Sequence, residues 1–225
     1  MKTDKRGSIY ILSFSLVVVM LGFGMVIPIF PFFIESLGAG GSELGLLVAT
    51  SAFFEFTCGP VWGSISDRIG RKPVLSIGIF GYALSTFLFG ISTQLWMLYA
   101  ARALSGLLSS AAVTTSMAYV SDTTSEEQRA GGMGKLGAAM ALGVILGPGI
   151  GGWLGAESLA LPFYIASGLA LLSLALILLM LPESLPEEQR LVTEKIAFVQ
   201  LSELWKAVAS PIGSLLCMVM LFSFA

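Results

Sequence analysis

The sequence predicts an all-α membrane protein: six spanning helices in one bundle, then a polar connector and the start of a seventh helix. Three observations carry this reading. The 225 residues are 56% hydrophobic, with a mean hydropathy of +0.89, far outside the usage of soluble domains. Apolar stretches long enough to cross a bilayer, about 20 residues at 1.5 Å rise each, recur along the chain. The basic residues gather in alternate gaps between those stretches.

The first stretch, Ser8 to Ile34, follows MKTDKRG. It is far longer than the apolar core of a cleavable signal and shows no small-residue cleavage site, so it reads as a first span. Further spans follow at 44–66, 73–91, 96–120, 130–155 and 160–181. Residues 182–206 are polar and Glu-rich, with Ile196, Phe198, Val199, Leu201 and Leu204 at mixed helical spacing. They read as a connector ending in an amphipathic helix at the membrane face, a plain polar linker being the alternative. A seventh span starts near Pro211 and has run about 15 residues at Ala225, short of a crossing. The domain organisation is therefore 1–181 for the bundle, 182–206 for the connector and 207–225 for the incomplete helix.

Lys2, Lys5 and Arg6 precede the first span. Arg68, Arg71 and Lys72 follow the second, Arg129 and Lys135 flank the start of the fifth, and Arg190, Lys195 and Lys206 follow the sixth. The other gaps hold no basic residue, and the last of the 12, Arg102, lies inside the fourth span. The positive-inside rule then predicts a cytoplasmic N-terminus in a multi-pass cell-membrane protein.

Composition also narrows function. A net charge of −2 argues for no particular partner, and there is no basic tail or basic–aromatic block, so no nucleic acid is expected. The absence of histidine removes imidazole acid–base catalysis and histidine metal ligation. With no nucleophile–base arrangement, phosphate loop or metal cluster in view, no catalytic residue, cofactor or metal is expected, and the chain does not read as an enzyme. Cys58 and Cys217 fall in apolar stretches and read as small buried hydrophobes.

The densest charge lies in GSISDRIGRK, the gap between the second and third spans. Gly63 suits close helix approach, Gly70 a tight reversal, and Pro73 the first turn of the next helix. Asp67 ends a helix, where its charge opposes the dipole, so it calls for a basic side chain or another helix's N-terminus. A turn carrying positive-inside charges accounts for the charges alone. Their order, with Gly63, Asp67, Arg68, Gly70, Arg71 and Lys72 as G-x-x-x-D-R-x-G-R-K, resembles the signature of the major facilitator superfamily. There the loop acts as a latch, so the resemblance implies gating rather than substrate contact.

A second motif agrees. The fifth span matches G-x8-G-x3-G-P-x2-G-G at Gly134, Gly143, Gly147, Pro148, Gly151 and Gly152. Pro148 removes a helix hydrogen bond and favours a kink, and the glycines form a face for close packing. The full pattern resembles the antiporter motif of the drug–proton antiporter branch of the superfamily. GFGMVIPIFP (Gly22, Gly24, Pro28, Pro31) and RALSG (Arg102, Gly106) are weaker likenesses to the family's first- and fourth-span motifs. After the fourth span, Thr123 and Glu126 have the spacing of a capping box.

The resemblance implies twelve spans in two halves with substrate between them. The chain then supplies one half and part of a seventh span. It reads as a piece of a longer protein whose C-terminal half holds the partners of Asp67 and of the glycine face. Some relatives carry an acid before the first-span motif. Val19–Met20–Leu21 offers none, so no proton site is expected there.

Two ionisable groups lie in the membrane. Glu55 is about 17 Å into the second span, near the middle of a core about 30 Å thick. A carboxylate there costs about 3 kcal/mol and faces a cavity or a partner. It is a candidate for proton coupling or for attracting a cationic substrate, a protonated Glu bonding a neighbouring helix being the plain alternative. Arg102 lies about 9 Å into the fourth span. It either snorkels outward or, as the resemblance implies, takes part in proton coupling by influencing a nearby acid; direct contact with Glu55, about 8 Å different in depth, would need adjacent helices and extended side chains. Phe30, Phe32, Phe33, Phe53, Phe54 and Phe56 flank these spans, mostly for lipid or packing, with some able to line a pocket.

The expected function is secondary active transport: proton-coupled efflux of small lipophilic drugs or metabolites by alternating access, with bilayer, protons and small molecules as partners. The alternatives are a metabolite transporter of the same fold and a truncated, non-transporting half.

Overall fold

The computed structural model describes residues 5–190. The second part of the predicted connector and the predicted seventh span lie outside the described residues. The helices are α1 (Lys5–Val26), α2 (Phe30–Ser36), α3 (Gly41–Ile69), α4 (Arg71–Gly90), α5 (Leu95–Thr123), α6 (Glu126–Glu157) and α7 (Leu161–Met180), followed by a short 3₁₀ turn, Glu187–Gln189. Five of them, α3 to α7, are long and apolar enough to cross a membrane, and a bent α1–α2 pair makes a sixth span.

The first span is the element that departs most from expectation. It is not one helix but two, bent by 48°. Pro28 has no N–H to continue the ladder and its ring crowds the preceding turn, and Pro31 restricts Phe30 before it. The helix stops at Val26 and restarts with Pro31 in its first turn. The other spans agree with prediction to within a few residues. Pro60 and Pro148 lie inside α3 and α6 without ending either.

Short links make neighbours antiparallel. Gly70 alone joins α3 to α4, and its φ of 106° is open to glycine but strained for any other residue. The expected cap at Thr123 is not formed. Thr123 is the last residue of α5, with its hydroxyl donating to the Tyr119 carbonyl at 2.8 Å, and Ser125 occupies the N-cap position of α6. Burial of Tyr119 and Val120 carries α5 past the point where the hydroxyl-rich stretch could first have capped a new helix.

α1 packs against α6 and α7, α4 against α5 and α7, and α3 against α5. The apolar core has two parts. One joins Leu12, Leu16, Leu75, Ile79, Tyr119 and Ile177. The other, at the α2 end, gathers Phe30, Phe33, Leu47, Phe89, Leu98 and Phe163, with Phe89 stacked on Phe163 and Phe30 edge-on to Phe89. Large apolar side chains remain exposed on α3 and α6, among them Phe53, Phe56, Ile145 and Trp153, as expected where a bundle meets lipid or further protein.

Candidate functional site

Small residues bring the helices of the site together. A side chain at Gly106 would meet the Ser51 carbonyl oxygen at 2.5 Å and Phe54 Cβ at 2.8 Å, so glycine there lets α5 lie directly on α3. That contact places Glu55 of α3 and Arg102 of α5 on one cavity of about 330 Å³, within the size range of small-molecule sites. Its wall is mainly apolar, from Val19, Met20, Phe23 and Val26 of α1, Phe89 of α4 and Val113 of α5, with Tyr82 and Ser109 adding hydroxyls.

Arg102 does not snorkel outward. Its guanidinium lies over the Phe30 ring, 4.5 Å from the centroid, and 5.5 Å from that of Phe89, so two aromatic faces hold the cation. The bend after Val26 brings Phe30 into the aromatic cluster that supports this arrangement. Its Nε has no hydrogen-bond partner among the described residues. Glu55 is the charged neighbour of Arg102, yet the two form no ion pair within 4.0 Å. Glu55 lines the cavity and is exposed in this half of the bundle.

Of the phenylalanines singled out from sequence, Phe30 and Phe33 are core, and Phe32, Phe53 and Phe56 are exposed. The rings that line the cavity are Phe23 and Phe89. Sequence reading missed these two and Tyr82, because an aromatic residue within an apolar run has no spacing that separates a cavity wall from core.

The charged loop closes a second site. Arg71 is buried at 8% exposure. Its Nη1 pairs with Asp67 at 2.6 Å, its Nε with Asp122 of α5 at 2.8 Å, and Nη1 also donates to Ser66 Oγ. Asp67 thus has its basic partner within the loop, one helical turn on, rather than only in an absent half. The signature's other arginine, Arg68, keeps a buried Nη2 without a partner among the described residues. Glu183, just after α7, accepts the Arg71 and Lys72 backbone N–H groups at 2.8 and 3.1 Å, a carboxylate at the positive end of α4. Lys72 Nζ donates to the Leu178 carbonyl, so the loop ties α3, α4, α5 and the segment after α7 together. Gly63 meets no neighbour where a side chain would stand, so the close approach expected there is absent from the described residues.

The glycine motif of α6 divides in two. Gly143, Gly147 and Gly151 are buried against α1: added side chains would meet Met20 and Leu21, then Gly24, then Met25. This corrects the expectation that the whole glycine face waits for an absent half. Spacing of four places these glycines on one stripe of α6, and the reciprocal gap at Gly24 makes the first- and fifth-span motifs a single interface. Gly134 and Gly152 meet nothing within 4 Å, and Pro148 is exposed. Among the described residues no cluster suited to a metal ion occurs.

Comparison with known proteins converges on one family. The model of the Major Facilitator Superfamily matches residues 12–225. Multidrug resistance protein 1 of Bacillus subtilis is 36% identical over 196 residues, 86% of this chain and 50% of that protein. The quinolone resistance protein NorA of Staphylococcus aureus is 33% identical over 165 residues, 73% of this chain and 42% of that protein. The crystal structure of the human organic anion transporter MFSD10 superposes with a TM-score of 0.75 at 29% identity, covering 84% of this chain and 50% of that one. A peptide transporter POT shares the fold, with a TM-score of 0.69 at 17% identity over 95% of this chain and 45% of its own. The chain spans about half the length of the curated relatives it matches.

Proposed function

The chain belongs to the Major Facilitator Superfamily, and from that premise we propose that the Glu55–Arg102 cavity is one wall of a transport path whose other wall lies in a C-terminal half. The whole protein exports small lipophilic compounds in exchange for protons by alternating access. The observation that carries this is a mainly apolar cavity lined by one exposed carboxylate, Glu55, deep in a spanning helix. A carboxylate so placed holds either a proton or the cationic group of a substrate. Occupation by one releases the other, which is the exchange an antiporter needs. The names of the relatives, for multidrug and quinolone resistance, agree with lipophilic drugs as substrates.

The charged loop supplies the latch. Arg71 holds Asp67 and Asp122 within this half, which leaves Arg68 to reach across to the other half when that side closes. The loop and the N-terminus are cytoplasmic by the distribution of basic residues. A metabolite carrier of the same fold is the second reading, favoured by the presence of both charge signs in one cavity.

Everted membrane vesicles carrying the whole protein, with a lipophilic dye such as ethidium added to the medium, test this by uptake. Dye movement should follow an imposed proton gradient and collapse with a protonophore. Movement indifferent to the gradient would sink proton coupling.

A further inference from the structure

Helix α6 has 32 residues, more than the about 20 that cross a bilayer core, so the residues at its edges mark where that core lies. Lys135 and Trp153 are about 27 Å apart at helix rise, close to the core's thickness of about 30 Å. Both are exposed. With the N-terminus cytoplasmic, Lys135 lies at the inner edge and Trp153 in the outer aromatic belt. Leu142 and Leu146, also exposed, complete one stripe along the helix. That stripe is distinct from two other sides of α6. Gly143, Gly147 and Gly151 face α1, while Gly134 and Gly152 stand open, each about 100° of helix turn from Lys135 or Trp153. Among the described residues α6 contributes nothing to the Glu55–Arg102 cavity.

At its inner end the stripe meets α1. The Lys135 ammonium lies over the exposed Tyr10 ring, 5.2 Å from its centroid, and Phe14, one turn further along α1, is exposed as well. The ring positions the charge without neutralising it, and Lys135 forms no ion pair within 4.0 Å among the described residues. A cation placed in this way at the inner edge calls for an anion at that depth. The cytoplasmic leaflet supplies one in the phosphates of its acidic lipids. Leu146 is about 16 Å further along α6 than Lys135, roughly half the core, so the exposed side chains between them cover the depth of one leaflet's acyl chains. We propose that the α1–α6 seam holds one anionic phospholipid, its phosphate on Lys135, which Tyr10 braces, and its chains along Phe14, Leu142 and Leu146.

Native mass spectrometry of the purified whole protein, titrated in detergent with phosphatidylglycerol or phosphatidylcholine, tests this. The wild type should bind phosphatidylglycerol more tightly than phosphatidylcholine. Lys135→Gln should weaken the tightest phosphatidylglycerol about fivefold and change phosphatidylcholine by less than about twofold, and Lys135→Arg should bind as the wild type does. Arg129→Gln removes the same charge from an exposed position on another side of α6 and should change either lipid by less than about twofold. Tyr10→Leu keeps apolar bulk but removes the ring face, and should weaken phosphatidylglycerol about two- to threefold, whereas Tyr10→Phe should not. That pair decides the matter if Lys135→Gln does not fold. Equal weakening by Lys135→Gln and Arg129→Gln would mean diffuse charge attraction and overturn the site. Unchanged binding in Lys135→Gln would mean that protein, such as a C-terminal half, covers the stripe, and parallel weakening of both lipids would mean an unselective lipid shell. Either result would overturn the proposal and leave the transport reading standing.

Discussion

At residue scale, the cost of a charge in a membrane made Glu55 and Arg102 legible in sequence. Neither is compatible with lipid, so each had to face a cavity or a partner, and the two line one cavity. The hydroxyl of Tyr82 was not legible, because a tyrosine in an apolar helix is as well explained by packing as by function. Gly70 was legible as a turn, but the sequence gives no sign that Glu183, more than a hundred residues on, would occupy the space beside it. A side chain at Gly70 would meet Glu183 Oε2 at 2.5 Å and would also force a backbone region close to glycine-only. Gly70→Ala should therefore cost about 1–3 kcal/mol, read as a lower unfolding temperature in detergent. An unchanged midpoint would mean the turn relaxes freely.

At the scale of elements, spans four to six and the second and third agree closely with prediction because apolar length is a strong signal. The first span was misread as continuous although Pro28 and Pro31 were both in view. Hydropathy does not register a bend, and the prolines of α3 and α6 lie within uninterrupted helices. The α1–α6 contact was half legible. Its glycines were recognised, but which helix they meet depends on tertiary packing. Gly147→Leu should overpack α6 against Gly24 and Met25 and destabilise by about 1–3 kcal/mol. Gly152→Leu, at an open position, should leave the unfolding midpoint of this half nearly unchanged. Equal effects from the two would contradict the packing described. Between α4 and α5, a double-mutant cycle on Arg71→Ala and Asp122→Ala should show coupling of about 0.5–3 kcal/mol, and a coupling near zero would remove the Arg71 bridge as a structural tie.

At the scale of the whole molecule, the chain corresponds in length to about half of each relative it matches. The exposed apolar faces of α3 and α6 and the open side of the cavity agree with a C-terminal half packed against this one. The intact mass of the protein extracted from its native membrane should therefore lie near twice the 23.7 kDa of this chain, and a mass equal to it would mean that the half acts alone or pairs with another chain. Exchange of substrate for protons is the central claim. The most direct measurement is proton release on adding a lipophilic substrate to proteoliposomes of the whole protein, followed with a pH-sensitive dye, for wild type beside Glu55→Gln. The account predicts release by the wild type and its loss in Glu55→Gln even at substrate concentrations that saturate the variant. Release of equal size from both proteins would contradict it.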